Sequence, residues 1–330
     1  MRCVFFFLYF FIGSHLLSAQ NFNAYEWVVF DTTNSGLESN YIVDFYFLED
    51  GSAYVSTSPA GLYFYRDGRF SKVKLPENIS YNWLTGLTMD SEGNLYISGS
   101  PNDVLIYNTI RESWERIEIP GFAMHMLRNE AGVLLLGMHL GHTVGLYQYA
   151  GGVLTELESN RYQDVMGMIL APNGDAVVGF RGGFYRYPMQ PDGTYGPSTD
   201  EISDMAFYDF GFDSGGTLWA TSFITLQLHS RDSLGHWTMY DGGPEALKTD
   251  WNGERKYIAH KLVVLPDDRI VIGVQTHCGI GVFDGKNWQA YMVPGLEDRF
   301  GIQEVKLAPD GSIWCATPYS GLLIFRPQAR

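Results

Sequence analysis

The chain lacks several features that would assign it quickly to a functional class. It has 22 lysine and arginine residues against 37 aspartate and glutamate residues, and the net charge of −15 opposes binding to nucleic acid or to an anionic lipid surface. Its most apolar run, Val4–Ile12, is shorter than the roughly 20 residues that cross a bilayer as a helix. We therefore expect no nucleic-acid partner and no membrane insertion of the mature chain.

Cysteine is also scarce, with 3 residues in a chain of 330. Cys3 lies within the first 19 residues, which are predicted below to be a signal peptide. Cys278 and Cys315 are therefore the two cysteines of the mature protein. In an oxidising compartment they could form a disulfide, and two buried free thiols are the alternative. The sequence does not fix the distance between them, so their pairing stays open.

The N-terminus has the layout of an export signal. Arg2 precedes the apolar run, and the small residues Ser18 and Ala19 follow it at the expected cleavage site. We therefore predict a signal peptide over residues 1–19 and a single mature domain over residues 20–330. This layout predicts an exported protein, periplasmic or extracellular.

Aromatic residues and glycine are abundant, and they recur with a period. Aromatic side chains make up 15% of the chain, which also has 37 glycines, a composition typical of short strands joined by tight turns. A turn doublet recurs between two apolar stretches at spacings of 39 to 43 residues, with one spacing of 52. The seven doublets begin at Asp50, Glu92, Ala131, Asn173, Gly215, Asp267 and Asp310.

Four short strands surround each doublet, which predicts an all-β fold, a seven-bladed β-propeller. The last repeat ends after three strands, and its missing fourth strand is found at the other terminus, where WVVF begins at Trp27. We therefore expect the N-terminal strand to complete the last blade and close the ring, which removes the open sheet edges.

Some of these repeats resemble a known family. Ser35-Gly36-Leu37 with Asn40, Leu218-Trp219-Ala220-Thr221 and Trp314-Cys315-Ala316-Thr317 are similar to the two-component regulator propeller repeat. The resemblance implies a propeller fold, and in that family such propellers often form the external sensor half of membrane-bound hybrid kinases. Because these 330 residues contain no kinase segment, we expect a free-standing relative.

Alignment of the first strand of each repeat predicts which residues line the central channel. The position seven before the second member of the doublet is polar, charged or glycine, and we expect it at the channel. It is occupied by Asp44, Gly86, His125, Gly167, Asp209, Lys261 and Glu304. The next position is apolar throughout and is expected to pack between blades: Phe45, Leu87, Met126, Met168, Phe210, Leu262 and Val305.

Histidines are concentrated toward one predicted end of the channel: His125, His139, His142, His260 and His277. Imidazole can bind a divalent metal or transfer protons near neutral pH. His125, His260 and His277 are therefore candidate catalytic residues or metal ligands, with Asp209 and Glu304 as candidate carboxylates. Histidines that only bond loop backbone are the structural alternative.

Aromatic and basic side chains map to the same end and could stack on or pair with a ligand. Together with His139 and His142, the candidate ligand-binding residues are Tyr81, Trp83, Arg181, Trp251, Tyr257 and Tyr319. Packing within loops is the alternative for each of the aromatic residues.

No phosphate-binding loop, nucleophile elbow, HExxH or calcium-loop motif is present in the sequence. The sequence therefore favours an exported non-catalytic propeller that binds a small molecule, a glycan or a protein, as a sensor or envelope-assembly component. The alternative is a metal-assisted lyase or hydrolase that uses the clustered histidines at the channel mouth. We predict no cofactor for the first function, and a divalent metal ion only for the second.

Overall fold

A computed structural model describes residues 20–76, 83–99, 102–139, 144–158, 164–180, 183–202, 205–222, 227–240, 243–251, 254–256, 258–297 and 299–329. These residues form seven four-stranded antiparallel sheets, the blades, and one separate two-stranded hairpin. The all-β, seven-bladed propeller expected from the repeat is confirmed. No helix among the described residues is long and apolar enough to cross a membrane.

The strands follow the repeat in chain order. The N-terminal strand is β1 (Gln20–Phe30). Blade 1 contains β2 (Ile42–Phe47), β3 (Ala53–Thr57), β4 (Gly61–Arg66) and β5 (Arg69–Lys72). Blade 2 contains β6 (Leu84–Met89), β7 (Asn94–Gly99), β8 (Asp103–Asn108) and β9 (Ser113–Glu118). Blade 3 contains β10 (Ala123–Arg128), β11 (Leu134–Met138), β12 (Gly145–Ala150) and β13 (Val153–Glu158).

The second half of the ring repeats this order. Blade 4 contains β14 (Val165–Leu170), β15 (Ala176–Phe180), β16 (Gly183–Tyr187) and β17 (Asp200–Ile202). Blade 5 contains β18 (Phe207–Phe212), β19 (Leu218–Ser222), β20 (Leu228–Arg231) and β21 (Trp237–Tyr240). A 3-10 turn (Glu245–Leu247) and the hairpin β22 (Thr249–Trp251) and β23 (Glu254–Lys256) precede blade 6. Blade 6 contains β24 (Ala259–Val264), β25 (Ile270–Val274), β26 (Gly279–Phe283) and β27 (Trp288–Met292).

Blade 7 closes the ring with strands from both ends of the chain. It contains β28 (Glu304–Leu307), β29 (Ile313–Ala316) and β30 (Leu322–Ala329), and its fourth strand is β1. β1 and β30 are antiparallel, and Trp27 lies opposite Phe325 in their register. The predicted closure by the N-terminal strand is therefore confirmed.

The apolar core lies between the blades. The buried apolar side chains of the described residues form seven clusters, and each cluster joins two neighbouring blades. The apolar position predicted to pack between blades does so: Phe45, for example, lies in the cluster between blades 7 and 1, and Leu262 in the cluster between blades 5 and 6. A single blade has no core of its own, so each depends on its neighbours for stability.

The two cysteines lie in the cluster between blades 6 and 7. Cys278 and Cys315 are both free and fully buried there. Burial raises the pKa of each thiol above its usual value. Of the two alternatives left open by the sequence, the structure has the buried free thiols.

The long connection between blades 5 and 6 explains the spacing of 52. Its 3-10 turn buries Leu247 in the cluster between these two blades. The connection is therefore anchored to the core at this point, and the hairpin of β22 and β23 extends from the anchored turn.

Candidate functional site

A cavity of about 780 Å³ lies at the centre of the ring. The first strand of each blade borders it, because these seven strands pack side by side around the axis. All seven residues predicted at the channel line this cavity: Asp44, Gly86, His125, Gly167, Asp209, Lys261 and Glu304. The alignment of the repeats thus identified one complete ring of the lining.

A second ring of lining residues coincides with β-bulges in blades 1 to 6. In blade 1, Ile42 pairs with Thr57 and Asp44 with Ser56, so Val43 is an extra residue in the register. Blades 2 to 6 have a register shift at the equivalent place. A bulge re-aims its side chains, so two successive residues of one strand can face the cavity. The residues that precede the predicted ring also line it: Val43, Thr85, Met124, Met166, Tyr208, His260 and Gln303.

Charged side chains occupy one continuous part of the lining, which we call the charged sector. It comprises Asp209 of blade 5, Lys261 of blade 6, Glu304 and Lys306 of blade 7, and Asp44 of blade 1. The Lys306 ammonium donates to Asp44 Oδ1 at 2.5 Å and to the Phe45 carbonyl at 2.9 Å, and the Lys261 ammonium lies 3.5 Å from Glu304 Oε2. These contacts connect blades 6, 7 and 1.

The local field keeps the two lysines charged. Burial opposes the charge of Lys261, but Glu304, Asp209 and Asp44 together hold its pKa above the usual lysine value. Burial also opposes the charge of Lys306, and Asp44 and Glu304 hold its pKa above the usual value too. Burial raises the pKa of Asp44, and the attraction between its carboxylate and the Lys306 ammonium offsets only part of this rise.

Asp209 differs from the other two carboxylates of the sector. Its Oδ2 accepts the Leu262 N–H at 2.9 Å, which links blade 5 to blade 6. Within the part of the chain that the structure describes, its carboxylate makes no ion pair within 4 Å. Burial raises its pKa to about 6, against the attraction of Lys261.

Two histidines line the same cavity. Burial, with Lys261 nearby, lowers the pKa of His260 to about 4, and burial lowers the pKa of His125 well below its usual value. Both side chains are therefore neutral at pH 7. The His260 and Tyr208 rings make a T-shaped contact, with 4.6 Å between the ring centroids, and His260 Nδ1 lies 3.3 Å from the Ile302 carbonyl oxygen.

The opposite part of the lining has no lysine, arginine, aspartate or glutamate side chain among the described residues, and we call it the apolar sector. Blades 3 and 4 contribute Met124, Met126, Val165, Met166 and Met168 to it. Methionine is flexible and polarizable, so such a wall can adapt to apolar ligands of different shape. The cavity is thus charged on one side and apolar on the other.

Two aromatic residues, Tyr41 and Trp83, line the cavity, and their ring contacts continue to Tyr319 and Phe300. We call these four rings the aromatic rim. Tyr41 packs edge-on against Trp83 at 5.9 Å and stacks with Tyr319 at 6.4 Å, and Tyr319 contacts Phe300 at 6.0 Å. Trp83, Phe300 and Tyr319 are 41%, 48% and 65% exposed. These rings present a large apolar surface beside the opening.

The candidate residues from the sequence have different positions. His125, His260, Asp209, Glu304, Trp83 and His139 all line the cavity. His139 also lies close to Asp164, with 3.6 Å between Nδ1 and the carboxylate oxygen. Tyr319 lies at the rim, whereas His277 is not among the lining residues, and its Nδ1 is 2.9 Å from the hydroxyl of Thr276.

The remaining candidates cannot be placed at the site in the same way. Tyr81, His142, Arg181 and Tyr257 lie outside the described residues, and Trp251 is described only as the last residue of β22. Sequence reasoning missed Tyr41, Lys306 and Gln303 as lining residues. The signal for Lys306 was present, because it lies two residues beyond Glu304 on the same strand and hence on the same face.

The described side chains do not form a site for a divalent metal ion. Among the described residues, no group of three or more His, Cys, Asp or Glu side chains is arranged to hold one. The Lys261 ammonium interacts with all three carboxylates of the charged sector, where a metal ion would have to bind. A divalent ion would therefore have to displace an ammonium that is already paired.

Asp209 gives a prediction about stability. Its pKa is about 6 in the folded chain and near the ordinary 3.8 in the unfolded chain. The folded state therefore holds the proton more tightly, and stability falls as the pH rises from about 4 to about 6. Lys261 and Glu304 are the charged groups that face it. Asp209→Asn removes the buried charge, so we expect it to increase the free energy of unfolding at pH 7 by about 1–3 kcal/mol.

Urea unfolding at pH 4 and pH 7 would measure this effect. The gain should be small at pH 4, where Asp209 is protonated in the folded chain. Glu115→Gln, on an exposed position of β9, is the control and should change stability little at either pH. An Asp209→Asn variant that is less stable than the unchanged chain at pH 7 would contradict this prediction. It would show that the Asp209 carboxylate stabilises the fold.

Comparisons with known proteins support the fold. No protein-family model and no curated protein matches this chain. The solved structures that match include virginiamycin B lyase from Staphylococcus aureus, at 12% identity over 92% of this chain and 100% of that chain, with a TM-score of 0.72. They also include YCF48 bound to D1 peptide, at 15% identity over 96% of this chain and 100% of that chain, with a TM-score of 0.65.

A third match bears on the repeat resemblance. The extracellular domain assigned to a hybrid two component system, BT3049 from B. thetaiotaomicron, aligns at 14% identity with a TM-score of 0.70. The alignment covers 93% of this chain and 42% of that chain, so this chain spans less than half of its length. At such identities the likeness shows the fold alone. This chain is therefore similar in fold to the extracellular domain of a two-component system, as the resemblance of its repeats implied.

Proposed function

We propose that this protein is an exported, non-catalytic propeller that binds a small organic molecule in its central cavity. The observation that carries the proposal is the cavity itself: about 780 Å³, bordered by all seven blades, with a charged and an apolar side. Ligand pockets in proteins have volumes of about 300–1,000 Å³ and combine an apolar lining with a few polar groups. A role as a sensor or an envelope component would use this binding.

Export rests on the leader predicted over residues 1–19. The fold likeness to an extracellular domain is consistent with a protein that works outside the cytoplasm. The binding role is favoured over chemistry because the charged groups of the cavity are mostly paired with each other. Lys306 is bound to Asp44, and Lys261 lies beside Glu304.

The alternative of a lyase or hydrolase retains one observation in its favour. His125 and His260 line the same cavity and are neutral at pH 7, so each could accept a proton. The metal ion that this alternative includes does not fit the described carboxylates, because the Lys261 ammonium already lies among them and is paired with Glu304. We therefore propose binding without chemistry.

A ligand screen tests the proposal. A library of small amphipathic compounds would be screened by ligand-observed NMR against the mature chain and against the double variant Val43→Trp and Met166→Trp. Both replacements put larger side chains at bulge positions that line the cavity. We expect the compounds that bind the mature chain to lose at least about tenfold in affinity to the double variant.

The control is Met239→Trp on β21, where the methionine is 51% exposed on an outer strand, and it should leave binding unchanged. Compounds that bind all three proteins equally would place the site outside the cavity. Recovery of chemically altered compounds after incubation, abolished by His125→Ala, would favour the catalytic alternative over ours.

A further inference from the structure

We infer that the central cavity selects a small organic cation, an ammonium group carried on an apolar body. This inference rests on the proposed binding function and names the class of its ligand. It combines three features of the described residues: one unpaired carboxylate, an apolar wall beside it, and an aromatic rim at the entrance.

The charge count of the cavity leaves a place for one positive charge. The lining contains three carboxylates, Asp44, Asp209 and Glu304, and two ammonium groups, Lys261 and Lys306. Two ion pairs use Asp44 and Glu304, at 2.5 and 3.5 Å from their lysines. Asp209 remains, held by a backbone N–H and partly exposed to the cavity. A ligand ammonium could pair with it and form a charge-assisted hydrogen bond.

His125 and His260 do not compete with such a ligand. His125 and His260 are neutral at pH 7, so they add no positive charge to the cavity. An anionic ligand would find both lysines already paired and a net negative lining, which would repel it. The electrostatics of the described lining therefore favour a cation over an anion.

The apolar wall begins directly beside Asp209. Blades 4 and 5 touch at this height: a Cβ added to Gly167 would lie 2.4 Å from the Tyr208 carbonyl oxygen and 3.3 Å from the Asp209 Cα. Met166 and Met168 flank Gly167 on the same strand and line the cavity. A ligand with its ammonium on Asp209 can therefore place an apolar body over these methionines.

The aromatic rim suits the same ligand class. Tyr41 and Trp83 line the cavity, and their ring contacts continue to the exposed rings of Tyr319 and Phe300. The faces of aromatic rings attract cations, and their area binds apolar groups. A cationic amphiphile can thus contact the rim on its way to the carboxylate.

Three probes of one shape test the inference: 2-(1-naphthyl)ethylamine, 2-(1-naphthyl)ethanol and 1-naphthylacetic acid, titrated calorimetrically into the mature chain at pH 7.5. We expect the amine to bind at least about tenfold more tightly than the alcohol, and the carboxylate to bind most weakly. In Asp209→Asn the amine should lose this preference, whereas the alcohol should bind as before. Because this replacement is expected to stabilise the fold, unfolding would not explain the loss. Glu115→Gln should leave all three affinities unchanged.

The outcomes separate this inference from the proposed function. If the amine and the alcohol bind equally and the Val43→Trp, Met166→Trp variant abolishes both, the cavity binds ligands without selecting a cation, and only the inference is wrong. If the amine binds tightly to that double variant, the site lies elsewhere and both proposals are wrong. Tighter binding of the carboxylate, or no binding of the amine, would also overturn the inference.

Discussion

Replacement of Lys306 by methionine should lower the free energy of unfolding by about 3 kcal/mol at pH 7. The Lys306 ammonium binds Asp44 Oδ1 and the Phe45 carbonyl, so it connects blade 7 to blade 1. Asp44 in turn accepts the Leu87 N–H at 3.0 Å and so connects blade 1 to blade 2. Methionine would leave the buried Asp44 carboxylate without its cation, a change that typically costs about 3–5 kcal/mol.

The lower end of that range applies because the Lys306 side chain is 36% exposed. Lys72→Met is the matched control, because Lys72 pairs with Glu38 on the outer surface and both side chains are exposed. It should change stability by less than about 1 kcal/mol. Adding Asp44→Asn to Lys306→Met should recover part of the loss, since the unpaired charge is gone. Equal effects of the two lysine replacements in urea unfolding would contradict this account of ring closure.

Phe325→Ala should have a comparable effect at the same closing blade, about 3–5 kcal/mol. Phe325 is fully buried on β30, and its ring contacts Phe22, Tyr25 and Trp27 of β1 at centroid distances of 5.0 to 5.4 Å. It also contacts Tyr291 of blade 6 at 5.1 Å. Alanine would therefore remove the ring contacts to three side chains of the N-terminal strand.

Hydrogen exchange distinguishes this effect from a general loss of stability. We expect the amides of β1 to lose protection first, before those of blades 2 to 5. The reason is that β1 comes from the N-terminal end of the chain and pairs with β30 at the C-terminal end, where Phe325 is replaced. Phe300→Ala, which removes an exposed ring far from β1 in sequence, should leave the exchange of β1 unchanged. Uniform loss of protection in all blades would contradict this prediction. It would mean that β1 separates from blade 7 no more easily than the other blades separate from each other.

Much of the fold was predictable because its signals are local and repeated. Turn doublets such as Asp50-Gly51 and Asp310-Gly311 need a residue with positive φ, and both glycines have it, at 80° and 82°. Seven such turns with four strands each specify the propeller, and the three-stranded last repeat predicts that Trp27 pairs across the closing blade. The structure has it opposite Phe325.

The cavity was predictable only in part. The ring of Asp44, His125 and Asp209 follows from strand alternation, but the second ring depends on bulges that no local pattern marks. Val43, Met166 and His260 would point away from the cavity in a regular strand. Their role follows from the register between strands, which is visible only in three dimensions.

The electrostatics could not be predicted from the sequence. Lys306 and Asp44 are separated by 262 positions, and only closure of the ring brings them together. The difference between Glu304, which has a lysine partner, and Asp209, which has none within 4 Å among the described residues, is also a property of the folded chain. The sequence therefore predicted one ring of residues of the candidate site, but it did not predict the division of the cavity into a charged and an apolar sector.

The most direct test of this account is a crystal structure of the mature chain grown with 2-(1-naphthyl)ethylamine. We expect the amine in the central cavity, with its nitrogen within hydrogen-bond distance of an Asp209 carboxylate oxygen and its rings against Met166 and Met168. Density for the amine outside the central cavity would contradict the assignment of the cavity as the binding site for an organic cation. Density inside the cavity with the nitrogen away from Asp209 would contradict it as well.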